Sequence, residues 1–439
     1  MKRIVVFLSI LLILMAMVSC SRPTSTPTEL PTQTPPSTSP SYPQLSVLPL
    51  PPMPQPSPSP TLLVIINPEV YEPIQPEIAQ YKADLEKEGY TVKVMSAEFQ
   101  TPEQLRETIK SQGPDGVFLI GDFPVAWFEI QPYTLEVAGG TYGHETHDVF
   151  PTDLYYMDLD GIWTDSDGNG YFDQHTGEKE PEVFLGRLTA STLGLLGDEV
   201  SIIKNYLSKT HLYRNGLMET KPRALIYGVS EFNWGSLERI QKIYPVMDIV
   251  ELQQTPEGRI EFRNGSKADF LQKIHEGYQF VKPGSIGHSG PYDMAMGEET
   301  LTCADLLASN PRSQFYIVGS CLNGFYVDSV FIAGCFAYGG EGLIALGNSS
   351  GGGNIGRGQA FYEWLEAGGS FGEAVKAFFA FILSIDEPAR YFGPPPSPVY
   401  PGSPIPEPEK NPERYLDYPR PEHHYNTILF GDPTLKIKK

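Results

Sequence analysis

The sequence is short of basic residues, of cysteine and of long apolar runs, and each shortage argues against a class of protein. Lys and Arg total 32 against 53 Asp and Glu, so the 439 residues carry a formal net charge of −21. Nucleic-acid binding needs clustered cations that neutralise phosphates, so no nucleic-acid partner is expected. The apolar run at 4–18 is shorter than the about 20 residues of a membrane-spanning helix. No internal repeat of fixed period is found, which argues against a solenoid.

The first twenty residues have the features of an export signal. Lys2 and Arg3 precede the apolar run, and Ser19 and Cys20 follow it, in the order of a charged region, an apolar core and small residues. Residues 17–20, Met-Val-Ser-Cys, resemble a bacterial lipoprotein box, which implies a signal peptide over 1–19 and lipid on the Cys20 thiol. Ordinary secretion with an incidental cysteine is the alternative. We expect an exported protein that a lipid anchor holds at the bacterial cell surface.

Residues 20–60 are rich in proline, serine and threonine. This composition cannot bury a core and favours extended conformations, so it indicates a disordered linker. From residue 61 the patterns alternate between strand and helix, which is typical of a parallel sheet flanked by helices. An aromatic and acidic stretch follows, and a second set of such units begins near residue 216. We therefore predict two α/β subdomains, at 61–215 and 216–439.

Three predicted strands end in side chains that can carry out acid–base or nucleophilic chemistry: Glu231, His288 and Cys321. Parallel strands place their carboxyl ends at one edge of a sheet, so we expect the three side chains to meet there. A histidine beside a thiol generates the thiolate nucleophile of a cysteine enzyme, and a carboxylate can orient that histidine. Once Cys20 carries lipid, three cysteines remain, so at least one stays unpaired.

Each of these assignments has a simpler alternative. Free cysteines are commonly buried and inert, the histidine can be a satisfied structural residue, and a glutamate at a strand end can be an ordinary surface residue. A rival nucleophile is Ser349, because residues 347–351, Gly-Asn-Ser-Ser-Gly, fit a serine nucleophile elbow after a strand. Such an elbow leads into a helix, whereas glycines follow here. A loop that shapes the substrate cleft is the favoured interpretation.

Several segments, taken in order, resemble the gingipain family of cysteine peptidases, which belongs to the wider caspase-like group. Gly-His at 287–288 and Gly-Ser-Cys-Leu-Asn-Gly at 319–324 resemble its catalytic segments. The segments at 117–122, 182–187 and 430–434 resemble its third strand, its Glu-Val-Phe-Ile-Gly-Arg segment and the end of its catalytic domain. Together these segments span about residues 61–439.

The resemblance implies a caspase-like α/β fold, with two adjoining subdomains of mostly parallel sheets flanked by helices. It implies a cysteine endopeptidase that acts on proteins or peptides through a thioacyl-enzyme and needs no cofactor for catalysis. Cys321 would be the nucleophile, His288 the general acid and base, and Glu231 the support of His288. Backbone N–H groups at Cys321 and near His288, at Ser289 and Gly290, would hold the oxyanion. Ser289 stands where the family commonly has glycine. A catalytically silent surface adhesin or a transpeptidase on the same fold remains the alternative.

A second constellation has the spacing of a calcium loop. Oxygen donors stand at alternate positions and a glycine at the sixth, and a further carboxylate stands at the ninth; the donors are Asp165, Asp167, Asn169 and Asp173. The glutamate expected at the twelfth position is missing, so Asp158, Asp160 or Glu178 would complete the set. An acidic cluster this tight repels itself without a cation. We expect a structural Ca²⁺, with a solvated Asp/Gly turn as the alternative.

Overall fold

The computed structural model describes residues 59–137, 140–229, 234–254, 260–284, 290–327, 330–351, 358–384 and 420–438. The predicted signal peptide, Cys20 and nearly all of the linker lie outside these ranges, as do Glu231, His288 and Ser289. Cys321, Gly290 and the four predicted calcium ligands lie within them.

One eleven-stranded sheet forms the centre of the described chain. Its neighbouring strands are parallel except at the pairs β12–β13 and β18–β19, which are antiparallel. The spatial order is β13 (Ile260–Phe262), β12 (Met247–Gln254), β11 (Ala224–Val229), β14 (Phe280–Pro283), β17 (Phe315–Ile317), β18 (Ile344–Asn348), β19 (Thr427–Gly431), β10 (Phe184–Leu188), β3 (Gly116–Ile120), β1 (Thr61–Ile66) and β2 (Thr91–Ser96).

Four antiparallel strand pairs accompany this sheet in the described residues. They are β4 (Trp127–Ile130) with β7 (Asp148–Pro151), β5 (Tyr133–Val137) with β6 (Gly140–His144), β8 (Ile162–Thr164) with β9 (Gln174–Thr176), and β15 (Asp293–Met296) with β16 (Glu299–Thr302). The first three pairs fall in the aromatic and acidic stretch, and the fourth follows residue 288 in the sequence.

Helices cover both faces of the sheet, which confirms the predicted α/β class. One face carries α1 (Pro68–Lys87), α4 (Glu199–Arg214), α6 (Lys267–Glu276), α7 (Cys303–Ser309) and α8 (Ile332–Tyr338). The other carries α2 (Pro102–Gln112), α3 (Leu154–Met157), α5 (Trp234–Ile243), α9 (Gln359–Glu366) and α10 (Phe371–Leu383). In the described residues, no helix has both the length and the apolar composition needed to cross a membrane.

The sequence explains these layers locally. In β1, Leu62 and Val64 enter the core on one face and Leu63 and Ile65 the core on the other, so its continuous apolar run suits a strand buried on both faces. Threonine is a preferred residue at a helix N-cap, so the sequence predicts a helix after Thr101, and the Thr101 hydroxyl caps α2 by accepting the Gln104 N–H at 3.4 Å.

The spacing of apolar residues predicts a helix over residues 74–89, but α1 begins six residues earlier, at Pro68. Asn67 caps it by accepting the Glu69 N–H at 2.9 Å, and Pro68 occupies the first helical position, where its missing N–H costs nothing. The pattern of residues 359–385 predicts helix with a break at the two glycines 368–369, and the structure confirms the break, because α9 ends before it and α10 starts after it.

The last strand joins the two halves of the sheet. β19 lies between β18 and β10, antiparallel to the first and parallel to the second. The strands of the two predicted subdomains therefore belong to one continuous sheet and one compact unit. The division near residue 215 remains a prediction.

A buried carboxylate fixes the end of β19. Asp432 accepts hydrogen bonds from the Tyr81 hydroxyl at 2.8 Å and from the Arg214 guanidinium at 2.5 Å, which ties α1 and α4 to this strand. Burial, and then the Asp432 charge, raise the pKa of Tyr81 well above its usual value, so Tyr81 stays a donor. The Gly-Asp-Pro-Thr segment therefore has a structural role.

Candidate active site

The strands that lead to Glu231, His288 and Cys321 are direct neighbours in the sheet. β14 lies between β11 and β17, and all three are parallel. Tyr227 of β11 is level with Pro283, the last residue of β14, and Tyr316 of β17 is level with Val281. The three strands therefore end at one edge, as predicted. The side chains of Glu231 and His288 lie outside the described residues, so their distances to Cys321 remain predictions.

Cys321 carries an exposed thiol and is the one unpaired cysteine among the described residues. Cys303 and Cys335 form a disulfide. This pairing agrees with the expectation that one of the three cysteines after Cys20 stays unpaired, and it leaves the free thiol at the predicted position. The alternative of a buried, inert thiol is wrong for Cys321, because its side chain is exposed to solvent.

The turn that carries Cys321 is held in a strained conformation. Leu322, the next residue, has φ of 60°, in the left-handed region that costs a leucine about 1–2 kcal/mol. Two hydrogen bonds to the segment at the end of β18 maintain it: Leu322 N–H to Ser350 O at 2.9 Å, and Gly324 N–H to Asn348 O at 2.8 Å. Backbone strain of this kind clusters at active sites, ligand clamps and switch regions, where the surrounding structure maintains it.

Gly324 allows this close approach to β18. A Cβ at Gly324 would lie 2.7 Å from the carbonyl carbon of Gly347, so no larger residue fits there without moving the turn. Asn323 adds a third link, since its side-chain oxygen accepts the Asn348 N–H at 3.1 Å. The Gly-Ser-Cys-Leu-Asn-Gly segment is thus fixed to the adjacent strand on both sides of the thiol.

The backbone N–H groups near the thiol differ in whether they are free to donate a hydrogen bond to an oxyanion. The N–H of Cys321 donates to no residue that the structure describes, so it is available to an oxyanion. The N–H of Gly290 donates to Asp293 O at 3.3 Å and would have to leave that bond to serve as a second donor. Ser289 lies outside the described residues.

Helix α8 connects the two predicted catalytic segments. The first N–H groups of a helix have no partner within the helix. Here Ile332 N–H donates to Pro291 O at 2.7 Å, in the segment that follows His288, and Ala333 N–H donates to Asn323 O at 3.0 Å. Cys335 in the same helix is bonded to Cys303 of α7. The disulfide therefore anchors the helix that holds both segments.

Comparison with models of protein families matches residues 55–438 to peptidase family C25, the gingipain family. The chain belongs to peptidase family C25. No match was found among the curated proteins. Because the match covers nearly the whole chain, both halves of the sheet belong to the C25 peptidase, and its substrates are proteins or peptides.

A buried arginine lies in β10 of the C25 peptidase. Arg187, the last residue of the Glu-Val-Phe-Leu-Gly-Arg segment, donates from Nε to Asp153 at 2.9 Å and lies 4.4 Å from the centre of the Tyr326 ring. Tyr326 follows the Cys321 turn in the sequence, so this contact links β10 to the segment after the turn. No role was predicted for Arg187. The signal in the sequence is a charged residue near the end of an otherwise apolar strand.

Ser349 of the C25 peptidase is buried and so cannot reach a substrate as a nucleophile. Its side chain is fully buried, and its hydroxyl donates to Pro151 O at 2.6 Å. The rival elbow is therefore a structural connection between β18 and β7. The neighbouring Ser350 supplies the carbonyl that holds Leu322, which supports the interpretation of this segment as a loop that shapes the cleft.

The acidic loop of the C25 peptidase is organised by its own amides. Asp165 accepts N–H groups from Gly168 at 2.7 Å and Gly170 at 2.8 Å, and these bonds, that from Gly170 first, lower the pKa of Asp165. Asp167 accepts the Asn169 N–H at 3.1 Å. Asp173, the fourth predicted ligand, accepts the Ser166 N–H at 3.1 Å and so closes the loop.

The residues proposed to complete the calcium site are placed differently. Among the described residues, Asp158 and Asp160 come together with Glu182, with carboxylate oxygens within 4.8 Å of one another, and no loop ligand belongs to this group. Asp158 is already satisfied by Gly161 N–H at 2.7 Å and His175 Nε2 at 2.5 Å. Burial is the main cause that lowers the pKa of His175. We assign Asp158 a structural role.

Proposed function

We propose that this C25 peptidase is a cysteine endopeptidase whose nucleophile is Cys321 and whose acid–base group is His288. The observation that carries the proposal is the exposed thiol on a strained, firmly held turn at the end of β17. The adjacent parallel strand β14 ends at the same edge of the sheet, and His288 follows it in the sequence. Strand adjacency, rather than a measured distance, supports the pairing of the two side chains.

The reaction follows from these groups. His288 removes the proton of Cys321, and the thiolate attacks the peptide carbonyl carbon to form a C–S bond and an oxyanion. The N–H of Cys321 stabilises that oxyanion. Collapse breaks the C–N bond, and His288 donates its proton to the departing amine. Water, deprotonated by His288, then hydrolyses the thioester and restores the thiol. Glu231 orients His288 and stabilises its cationic form.

The adhesin and transpeptidase alternatives receive no support from the family or from the fold. An adhesin has no need of a strained turn that presents a thiol to solvent. A transpeptidase would share the acyl-enzyme and differ only in passing it to an amine, so the products distinguish the two reactions.

Thiol labelling tests the dyad. We expect iodoacetamide to alkylate Cys321 of the folded full chain at pH 6.5 at least about tenfold faster than after unfolding in guanidinium, because a neighbouring histidine favours the thiolate. His288→Ala should remove this advantage, and Glu231→Gln should reduce it. Mass spectrometry of the Cys321 peptide gives the rates. Equal rates in folded and unfolded protein would contradict the dyad.

We further propose that the peptidase is exported and anchored by lipid on Cys20 at the bacterial cell envelope. The charged and apolar segments before Cys20 support export. The Cys303–Cys335 disulfide also supports it, because such bonds persist in oxidising compartments outside the cytoplasm.

We also propose that the acidic loop binds a structural Ca²⁺ through Asp165, Asp167, Asn169 and Asp173. Carboxylate and amide oxygens are the donors that Ca²⁺ prefers, and each carboxylate oxygen keeps a lone pair beside its amide bond. EDTA should lower the melting temperature, and added Ca²⁺ should restore it. At a hundredfold excess over its Kd, a bound ion adds about 2.7 kcal/mol to the free energy of unfolding.

Two variants make the calcium test specific. Asp165→Asn should abolish the response to Ca²⁺, whereas Glu98→Gln, a change of an exposed carboxylate outside the loop, should leave it intact. A melting temperature that neither EDTA nor Ca²⁺ changes would remove the metal from the loop.

A further inference from the structure

Three aromatic side chains form a row at the surface beside the Cys321 turn. The Trp127 ring lies 6.2 Å from the Tyr171 ring on one side and 6.1 Å from the Phe325 ring on the other, measured between ring centres. All three are half-buried. Within the described chain, none of them belongs to either hydrophobic core or to the partly buried side chains packed on one. Core packing therefore does not account for the row.

The row is fixed to the nucleophile turn at two points. Phe325 is part of that turn, since its N–H donates to Leu322 O at 2.9 Å. Trp127 pairs with Pro151 across β4 and β7, and Pro151 O accepts the Ser349 hydroxyl. The next residue, Ser350, holds Leu322 from the other side. A short chain of direct contacts thus sets the position of Trp127 relative to Cys321.

We propose that the row of Tyr171, Trp127 and Phe325 is a subsite that binds a large apolar side chain of the peptide substrate close to the cleaved bond. This inference rests on the proposed function, because it takes Cys321 as the point of cleavage. Exposed aromatic faces gain most from an apolar or aromatic partner that removes them from water. The substrate is the occupant that the position favours, since the row is continuous with the turn that carries the nucleophile.

A basic side chain is the competing occupant, because aromatic faces also attract cations. The carboxylates nearest to Tyr171 in sequence are bonded to the loop's own amides, as Asp165 and Asp173 show. If they also hold Ca²⁺, as proposed above, they are not available to pair with a substrate cation. This difference favours the apolar class, and the experiment below separates the two.

Cleavage of matched peptides tests the subsite. Internally quenched peptides would carry Phe, Leu, Arg or Gly in turn at each of the four positions on either side of the cleaved bond. At one position the enzyme should prefer Phe and Leu. At that position, Trp127→Ala should lower kcat/KM about tenfold for Phe or Leu and change it little for Gly. The control Ile162→Ala, a change of an exposed apolar residue on nearby β8, should have no such effect.

A binding measurement keeps the subsite testable apart from catalysis. In the Cys321→Ala background, the same peptides with a fluorescent label should bind more tightly with Phe than with Gly, and Trp127→Ala should remove that difference. No effect of Trp127→Ala on either measurement, or loss of an Arg preference instead, would overturn the inference. If the wild-type enzyme cleaved none of the peptides and Cys321 reacted as an ordinary thiol, the proposed function would fail instead, and the binding result would still decide the subsite.

Discussion

Replacing Cys321 with alanine is expected to lower peptide cleavage by roughly 10⁴-fold or more, because it removes the atom that forms the bond to the substrate. The thiol is exposed, and the hydrogen bonds that shape the turn involve the backbone of Leu322 and Gly324. The fold should therefore be unchanged. Initial rates on a quenched peptide, with melting temperature measured on the same samples, check both statements.

Two further variants separate Cys321 from its rival. Cys321→Ser should lose nearly as much activity, since a serine hydroxyl is a much weaker nucleophile than a thiolate. Ser349→Ala should lose stability, because it leaves Pro151 O without its buried donor, but the folded fraction should keep its activity. If Cys321→Ala retained wild-type rates while Ser349→Ala lost them, the nucleophile would have to be reassigned.

Removing the Cys303–Cys335 disulfide is expected to produce the second large effect. The bond closes a separation of 32 residues that contains the Cys321 turn, and a loop of this size contributes about 4 kcal/mol in the chain-entropy estimate. A Cys303→Ala/Cys335→Ala variant should lose about this much free energy of unfolding in urea. Activity should fall as well, because α8 would hold Pro291 and Asn323 less firmly.

The burial of the disulfide decides which variants can be compared. Both half-cystines are buried, so either single variant would leave a free thiol inside the protein and is a poor control. The double variant keeps Cys321 as the one thiol to be labelled in the described chain. If urea unfolding and cleavage were both unchanged in the double variant, α8 would be held by its packing alone.

The sequence predicted the parts of the fold that depend on local patterns. The apolar run of β1, the Thr101 cap and the break between α9 and α10 all follow from residue preferences within a few positions. The adjacency of β11, β14 and β17 was predicted because parallel α/β units place successive strands at a common edge.

Features that depend on contacts between distant segments were not predicted. Pro291 and Asn323 meet the start of α8 only after the chain has folded, and no local pattern indicates that Ile332 and Ala333 will donate to them. Trp127 and Phe325 are separated by most of the sheet in sequence. The single continuous sheet was also missed, because the pairing of β19 with β10 joins two strands that lie far apart in the sequence.

The place of β19 has a consequence for how the enzyme matures. It comes later in the chain than every other strand that the structure describes, yet it pairs in the middle of the sheet. During synthesis, the edges of β18 and β10 that pair with β19 stay unpaired until residues 427–431 emerge. β18 also holds the turn of Cys321. We expect proteolytic competence to arise only after residues 427–431 have been synthesised.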